Sequence, residues 1–568
     1  MAIAALALVV AAACAPRSTT AEATAPDAPM STSPLGQYLA GIHAERMKDF
    51  GNAADFLEQA LQADPDNPAL LLETYLLMVS EGRIDEAVPL AERVVAYDPT
   101  SPHAWLTLAV HAVHEGDFEA ANTYISNLPT DGVNRVVVPL VGAWIALEAV
   151  GLEEAITRLG TLQTLGGAEP LRRMHLGLMH EIVGDNAEAK TIYDELAANP
   201  AELSLREVQI IGNFRQRQGD EAGARTLYDA YLENTGADLA LEPSYAALEE
   251  GTSVDPVIAN ATDGIAESLF DIAFLLQRQQ AVDTSLVLTR KAIYLKPDFA
   301  VAQIFLADTL AGDSRYEAAI DAYYKVPTDS GFGWQARLEA ARTLDFIERT
   351  DEAIAALKVM IDERPERSDA AQLLGTIFRG RERFEEAIPY YNIAVERIGE
   401  PTVADWPLLY FRGIVLERTK QWELAEADFL KALELEPEQP YVMNYLAYSW
   451  IEFGEKYDEA LDMLKRAVEL RPEDGYIVDS LGWVYYRLGD YENAVVQLER
   501  AVELTPLDPT INDHLGDAYW RVGRYAEARF QWRRALSFNP DEELRPLIEG
   551  KLERGLLEGD SAESQTGG

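Results

Sequence analysis

The residue whose type and setting most clearly point to chemistry is Cys14, the only cysteine among 568 residues. A thiol can be alkylated, oxidised or bound to a metal, and each reaction uses the thiolate. Ala11, Ala12 and Ala13 stand directly before it, closing a 12-residue apolar run from Ala2 to Ala13. Loss of every other thiol suits an oxidising compartment. The 7 histidines say less. His111 and His114, with His103 one helix face earlier, could offer two nitrogens to a metal. No third ligand has matching spacing, so packing or surface roles are expected for them. His175 and His180 are five apart and fall on different helix faces.

There is no Gly-rich phosphate loop with Lys-Ser/Thr, no Gly-x-Ser-x-Gly elbow, no His-Glu-x-x-His and no paired cysteine. With 95 acids in the chain, paired carboxylates recur everywhere and carry no information on acid-base work. No catalytic residue, metal or cofactor is expected, and the chain reads as a non-enzyme. The longest stretch outside the repeat described next, Leu239–Ile265, is too short for a catalytic domain.

The elements that position these residues follow a repeat of 34 residues. Asp479–Pro506 (DSLGWVYYRLGDYENAVVQLERAVELTP) aligns with Asp513–Pro540 (DHLGDAYWRVGRYAEARFQWRRALSFNP). The small residue at the eighth place can be followed upstream through Ala447, Gly413, Gly375, Ala341, Ala307 and Ala273, then Gly212, Gly177, Ala143, Ala109, Tyr75 and Gly41. A fixed period of this length means stacked helix-turn-helix units with no single central core. About fourteen units result, six before a break at 239–265 and eight after it. The small residue lets the two helices of a unit approach, as do Ala494 and Ala501 from the second helix. Pro residues such as Pro506 and Pro540 end the second helix. Gly-Asp pairs such as Gly489-Asp490 turn the chain inside the unit, Gly ending one helix and Asp capping the next.

Net charge is −47, from 95 acids against 48 bases, which argues against a nucleic-acid partner. The acids are dispersed along the outer helices. That fits either a solvated surface or attraction of a basic partner.

These units resemble the tetratricopeptide repeat (TPR) family over roughly Pro34 to Glu542, most closely in the last four units. The resemblance implies an all-α solenoid whose first helices line a concave groove for other proteins. Its groove places fall on Leu35, Tyr38, Ile42, Leu72, Leu76, Leu106, Val110, Leu140, Trp144, Met174 and Leu178 in the N-terminal half. That apolar wall, with Tyr38, Leu72, Leu76, Leu106, Trp144 and Met174 as its candidate contacts, must be covered by a partner or by the chain itself. In the C-terminal half the candidate partner-binding residues are Tyr410, Arg418, Tyr448, Trp483, Tyr486, Arg487, Trp520 and Arg521, with Asp479, Asp513 and Asp517 among them. Aromatic and Arg residues of this kind form interface hot spots, and they also fill space between helices. No unit has Lys at its fifth place, so the family's clamp for chaperone tails is not expected.

The N-terminus resembles bacterial lipoproteins, in which the Cys becomes the lipidated first residue. The usual Leu three places before the Cys is Ala11 here, and no Lys or Arg precedes the apolar run, a feature that a start upstream of Met1 would supply. With Ala15 next to Cys14, the family's sorting habit favours the outer membrane. The combination resembles large bacterial TPR lipoproteins that act as adaptors, some joining an envelope protease to cell-wall hydrolases. The expected organisation is therefore a signal peptide (1–13), a lipidated Cys14 and flexible tether (14–33), a six-unit array (34–238), an irregular insert (239–265), an eight-unit array (266–542), a capping helix (543–557) and a disordered tail (558–568). The expected function is a membrane-anchored periplasmic scaffold that gathers partner proteins. A cytosolic assembly factor or regulator is the alternative.

Overall fold

The computed structural model describes residues 33–235 and 239–556. Cys14, the apolar run and the tail at 558–568 lie outside them. Every regular element among the described residues is helical. In chain order the α-helices fall into fourteen pairs, with Glu242–Glu250 and Leu544–Arg554 outside the pairing. The chain divides into two compact units, Met1–Arg349 and Thr350–Gly568, each an α-solenoid stack. No helix among the described residues is long and apolar enough to cross a membrane.

Pairing rests on close approach between the two helices of a unit. A Cβ on Gly482 would lie 2.6 Å from Leu498 Cγ, and one on Gly516 would lie 2.4 Å from Trp532 Nε1. In both pairs the large residue follows the small one by sixteen positions, as Tyr193 follows Gly177 and Phe429 follows Gly413. Seven positions after the small residue the chain enters the left-handed region, with φ 79° at Gly489. Asp490 then accepts from the Asn493 N–H and starts the second helix. Several units place a larger residue at this left-handed position, among them Glu382 at φ 58° and Lys420 at φ 62°. The second helix of the Gly482 unit stops at Leu504, two residues before Pro506.

The first unit departs from the organisation read in the sequence. The stretch 239–265 is only partly irregular. It holds a short helix, Glu242–Glu250, and at its end the helix Ala261–Arg278 has already begun. The Asn260 side chain accepts from the Asp263 N–H at 2.9 Å to start it. Gly264 leaves room for an indole: a Cβ there would lie 2.5 Å from the ring of Trp144. The extra turn buries Ala261, Gly264 and Ile265, which explains why the helix extends upstream of its repeat register.

This helix and its mate Val282–Leu295 turn back onto the N-terminal array. The first return helix, Ala261–Arg278, packs on Asn134–Ala149 and Glu169–Ile182. The second, Val282–Leu295, packs on Pro68–Ser80 and Pro102–His114. The expected boundary at 239–265 is therefore not where the units part, because these two helices are held by the groove they fill.

The close approach gives a direct test. Gly482→Leu is expected to overpack the contact with Leu498, destabilising by about 3 kcal/mol or more, and to lower the melting temperature cooperatively. An unchanged melting curve would contradict the register given above.

Candidate partner-binding faces

In the first unit most of the apolar wall is covered by the chain itself. Leu106, Trp144 and Met174, read in the sequence as groove contacts, are 5%, 0% and 4% exposed. Of the two covers that the sequence left open for them, a partner or the chain itself, the chain supplies the cover. The Trp144 indole N–H donates to His175 Nδ1 at 3.0 Å. An indole nitrogen can only donate, so the neutral imidazole carries its proton on Nε2, which donates to Asp271 Oδ2 of the first return helix at 3.0 Å. Burial raises the Asp271 carboxyl, and the His175 hydrogen bond works against the shift. Arg206 donates to both oxygens of Glu267 at 2.7 Å, and Glu267 is buried on the same helix. A bidentate pair at this depth fixes the helix in angle as well as position.

The second return helix buries Leu286, Leu288, Ala292 and Leu295 and adds polar contacts to the N-terminal array. The Tyr294 hydroxyl meets His111 Nδ1 at 3.0 Å and donates to Asp85, and the His114 ring lies 4.4 Å from the Tyr294 ring. His111 and His114 thus pack against a tyrosine. Arg290 Nε donates to the Ser80 carbonyl at 3.1 Å. The pairs Lys48–Asp313 and Arg315–Glu81 tie the turn after the next helix, Ala300–Gly312, to the first two helix pairs. Lys291 differs. It is fully buried, and its Nζ has no hydrogen-bond partner among the described residues. Burial pushes its pKa down to about 7. Burial also lowers His103, with the charge of Lys291 as the second cause. No charge pattern in the sequence marks Lys291, because its burial depends on the helix turning back.

Toward the N-terminus the cover ends. Tyr38, Leu72 and Leu76 are 37%, 42% and 37% exposed, and Leu35 and Leu39 are exposed with them. These side chains, on the first helices of the first two pairs, are the part of the wall left open. Glu45, Glu73 and Asp283 border a cleft of about 400 Å³ beside Leu76. Sequence reasoning passed over these carboxylates, since acids are too common in the chain to stand out.

In the second unit the aromatic set is largely built into the stack. Trp483 is 4% exposed. One face of its ring stacks on Tyr486 at 4.8 Å, His514 stacks on it at 4.0 Å, and its N–H donates to Glu452 Oε1 at 2.8 Å. Arg487 also donates to Glu452, at 3.0 Å, and Arg521 donates to the Tyr486 hydroxyl at 3.2 Å. Tyr410 and Tyr448 are half-buried, and burial raises both phenols. Trp520 is half-buried, packed on Trp532 at 5.4 Å and against the backbone at Gly555. Arg418 alone of the set is exposed, over the Phe384 ring at 5.4 Å. The reading of Trp483 and Tyr486 as partner-binding residues is corrected: both are buried, and their surfaces are already used inside the chain.

A polar layer runs beneath these rings. Asp479 accepts from His514 Nδ1 at 2.9 Å. Burial opposes charge on His514, but Asp479, Asp513 and Asp517 outweigh it and the imidazole pKa is raised. Lys551, from the terminal helix Leu544–Arg554, sits between Asp513 at 2.6 Å and Asp517 at 2.7 Å. Those two carboxylates raise its pKa against the effect of burial. The terminal helix thus covers the last acidic stretch of the inner face.

Geometry places this chain among the all-α helical-repeat proteins. Models of the tetratricopeptide repeat match residues 78–136, 338–401 and 509–542, and a TPR repeat model matches 482–523. These stretches are tetratricopeptide repeats, and proteins built of such repeats typically serve as scaffolds for other proteins. TPR repeat-containing protein PA4667 of Pseudomonas aeruginosa is 26% identical over 177 residues, which span 31% of this chain and 29% of that protein. The APC/C hetero-tetramer Cut9-Hcn1 is similar over 93% of this chain and 99% of that one, at 15% identity and a TM-score of 0.39. YrrB, a TPR protein with an unusual peptide-binding site, is similar over 38% of this chain and 92% of that one, at 21% identity and a TM-score of 0.24.

Two outcomes are expected. The unfolded chain holds a proton on Lys291 that the folded chain gives up near neutrality, so stability rises with pH between about 7 and the ordinary lysine value, by a total on the order of 5 kcal/mol. Lys291→Met should therefore raise the melting temperature most below about pH 7 and least above about pH 10. An equal effect at both would contradict an unpaired buried amine. Trp483→Ala should destabilise the second unit by about 3–5 kcal/mol, read as an earlier thermal transition. Native stability in that variant would return Trp483 to the list of surface anchors.

Proposed function

We propose that this protein is a lipid-anchored scaffold on the periplasmic face of the outer membrane. The observation that carries the scaffold reading is the uncovered apolar surface of the first two helix pairs, Leu35, Leu39, Leu72 and Leu76, in an array whose inner face is otherwise filled. A surface of this kind is covered in use by another protein. The anchor reading is supported by the lone Cys14 behind an Ala-rich apolar run and ahead of a Pro/Ala/Ser/Thr-rich stretch. One acyl chain anchors a protein only marginally, so stable attachment takes more than one. The lipoprotein pattern supplies them on the Cys. The resemblance to large bacterial TPR lipoproteins, some of which join an envelope protease to cell-wall hydrolases, supplies the partner class of this reading.

Metabolic labelling with a lipid precursor tests the anchor. The wild type should label and fractionate with the outer membrane, and Cys14→Ser should do neither. If Cys14→Ser labels and fractionates as the wild type does, the proposal fails.

A further inference from the structure

We infer that the cleft of about 400 Å³ beside Leu76 docks a partner segment that sets a Lys or Arg among apolar side chains. This deepens the scaffold reading and rests on it. The cleft lies where the second return helix begins, between Val282 and Val287 on one side and Glu45, Glu73 and Leu76 on the other. Its apolar surface continues along the same two N-terminal helices through the exposed Tyr38 and Leu72.

Charge decides the occupant. The cleft's own cation is already engaged: Arg315 pairs with Glu81 and lies over the Phe50 ring at 4.4 Å. Asp313 is matched by Lys48 at 2.7 Å. Glu45 and Glu73 have no cation partner among the described residues, and both are half-buried. Burial raises the Glu73 carboxyl, and the charge of Glu45 adds to the shift. Two unmatched carboxylates beside an apolar wall favour a cation with apolar neighbours, and a basic group arriving there relieves their repulsion. A second copy of this chain, at net charge −47, does not supply such a group readily. Residues 1–32 offer Arg17 alone, against Glu22 and Asp27. The occupant is therefore a segment of a different protein, basic and amphipathic.

The test is fluorescence anisotropy with a labelled amphipathic Leu/Lys peptide and its Leu/Glu counterpart, titrated with the full chain. The Leu/Lys peptide should bind and the Leu/Glu peptide should not. Glu73→Lys and Leu76→Glu should each weaken binding by about tenfold with an unchanged melting curve, while Lys465→Ala, at an exposed lysine of the second unit, leaves affinity as it was. Equal affinity across the wild type and both cleft variants would overturn the inference, as would equal binding of the two peptides. Displacement of the probe by a synthetic peptide of residues 1–20 at lower concentration than the probe itself would assign the cleft to the chain's own N-terminus, which also overturns it. None of these failures touches the scaffold reading. That reading fails if photo-crosslinkers placed at both Leu76 and Arg418 of the anchored protein trap no other protein.

Discussion

The first unit depends on one burial, the indole of Trp144 against the backbone at Gly264. A side chain at residue 264 would stand inside the ring, so the first return helix can lie in the groove only because glycine is there. Once it lies there, Glu267 meets Arg206, Asp271 meets His175, and the indole N–H finds its acceptor. Each of these groups is polar and mostly buried, and each would be expensive to leave unmatched. The burial therefore organises a network that no single repeat contains. It also turns an array that would have presented a long apolar groove into one that is open only at its N-terminal end.

The two units reach a similar result by different means. The first fills its inner face with two helices that come from later in the chain. The second fills its own with rings and ion pairs from successive first helices, then covers the last acidic stretch with Lys551 from the terminal helix. In both, residues at groove-facing places of the repeat are used to hold the protein together. The surface left for partners is smaller than the repeat count suggests, and it is apolar with acid at its edge.

Much of the fold was legible because the repeat is local. The small residue, the left-handed turn seven positions on and the terminal proline all act within one unit, so a period in the sequence reports them directly. The large residue sixteen positions after the small one was equally local but varied in type, from Leu498 to Tyr193 to Trp532, and so escaped notice. The filling of the first groove was not legible. It joins Trp144 to Gly264 and Arg206 to Glu267 across an interrupted register, and no spacing announces it. The aromatic set of the second unit was ambiguous for a physical reason: a Trp at a groove-facing place looks the same in sequence whether it waits for a partner or stacks on His514. Cys14, which carries the membrane reading, lies outside the described residues.

The central claim is that the return helices are permanent parts of the first unit and not a detachable cover. Native-state hydrogen exchange of the full chain, read by mass spectrometry, tests it most directly. If the claim holds, the amides of Ala261–Arg278 and of Asn134–Ala149 exchange together, at the slow rate of a single cooperative unfolding step. Exchange of Ala261–Arg278 well before Asn134–Ala149 would contradict it, and would mean that the groove opens while the array stays folded.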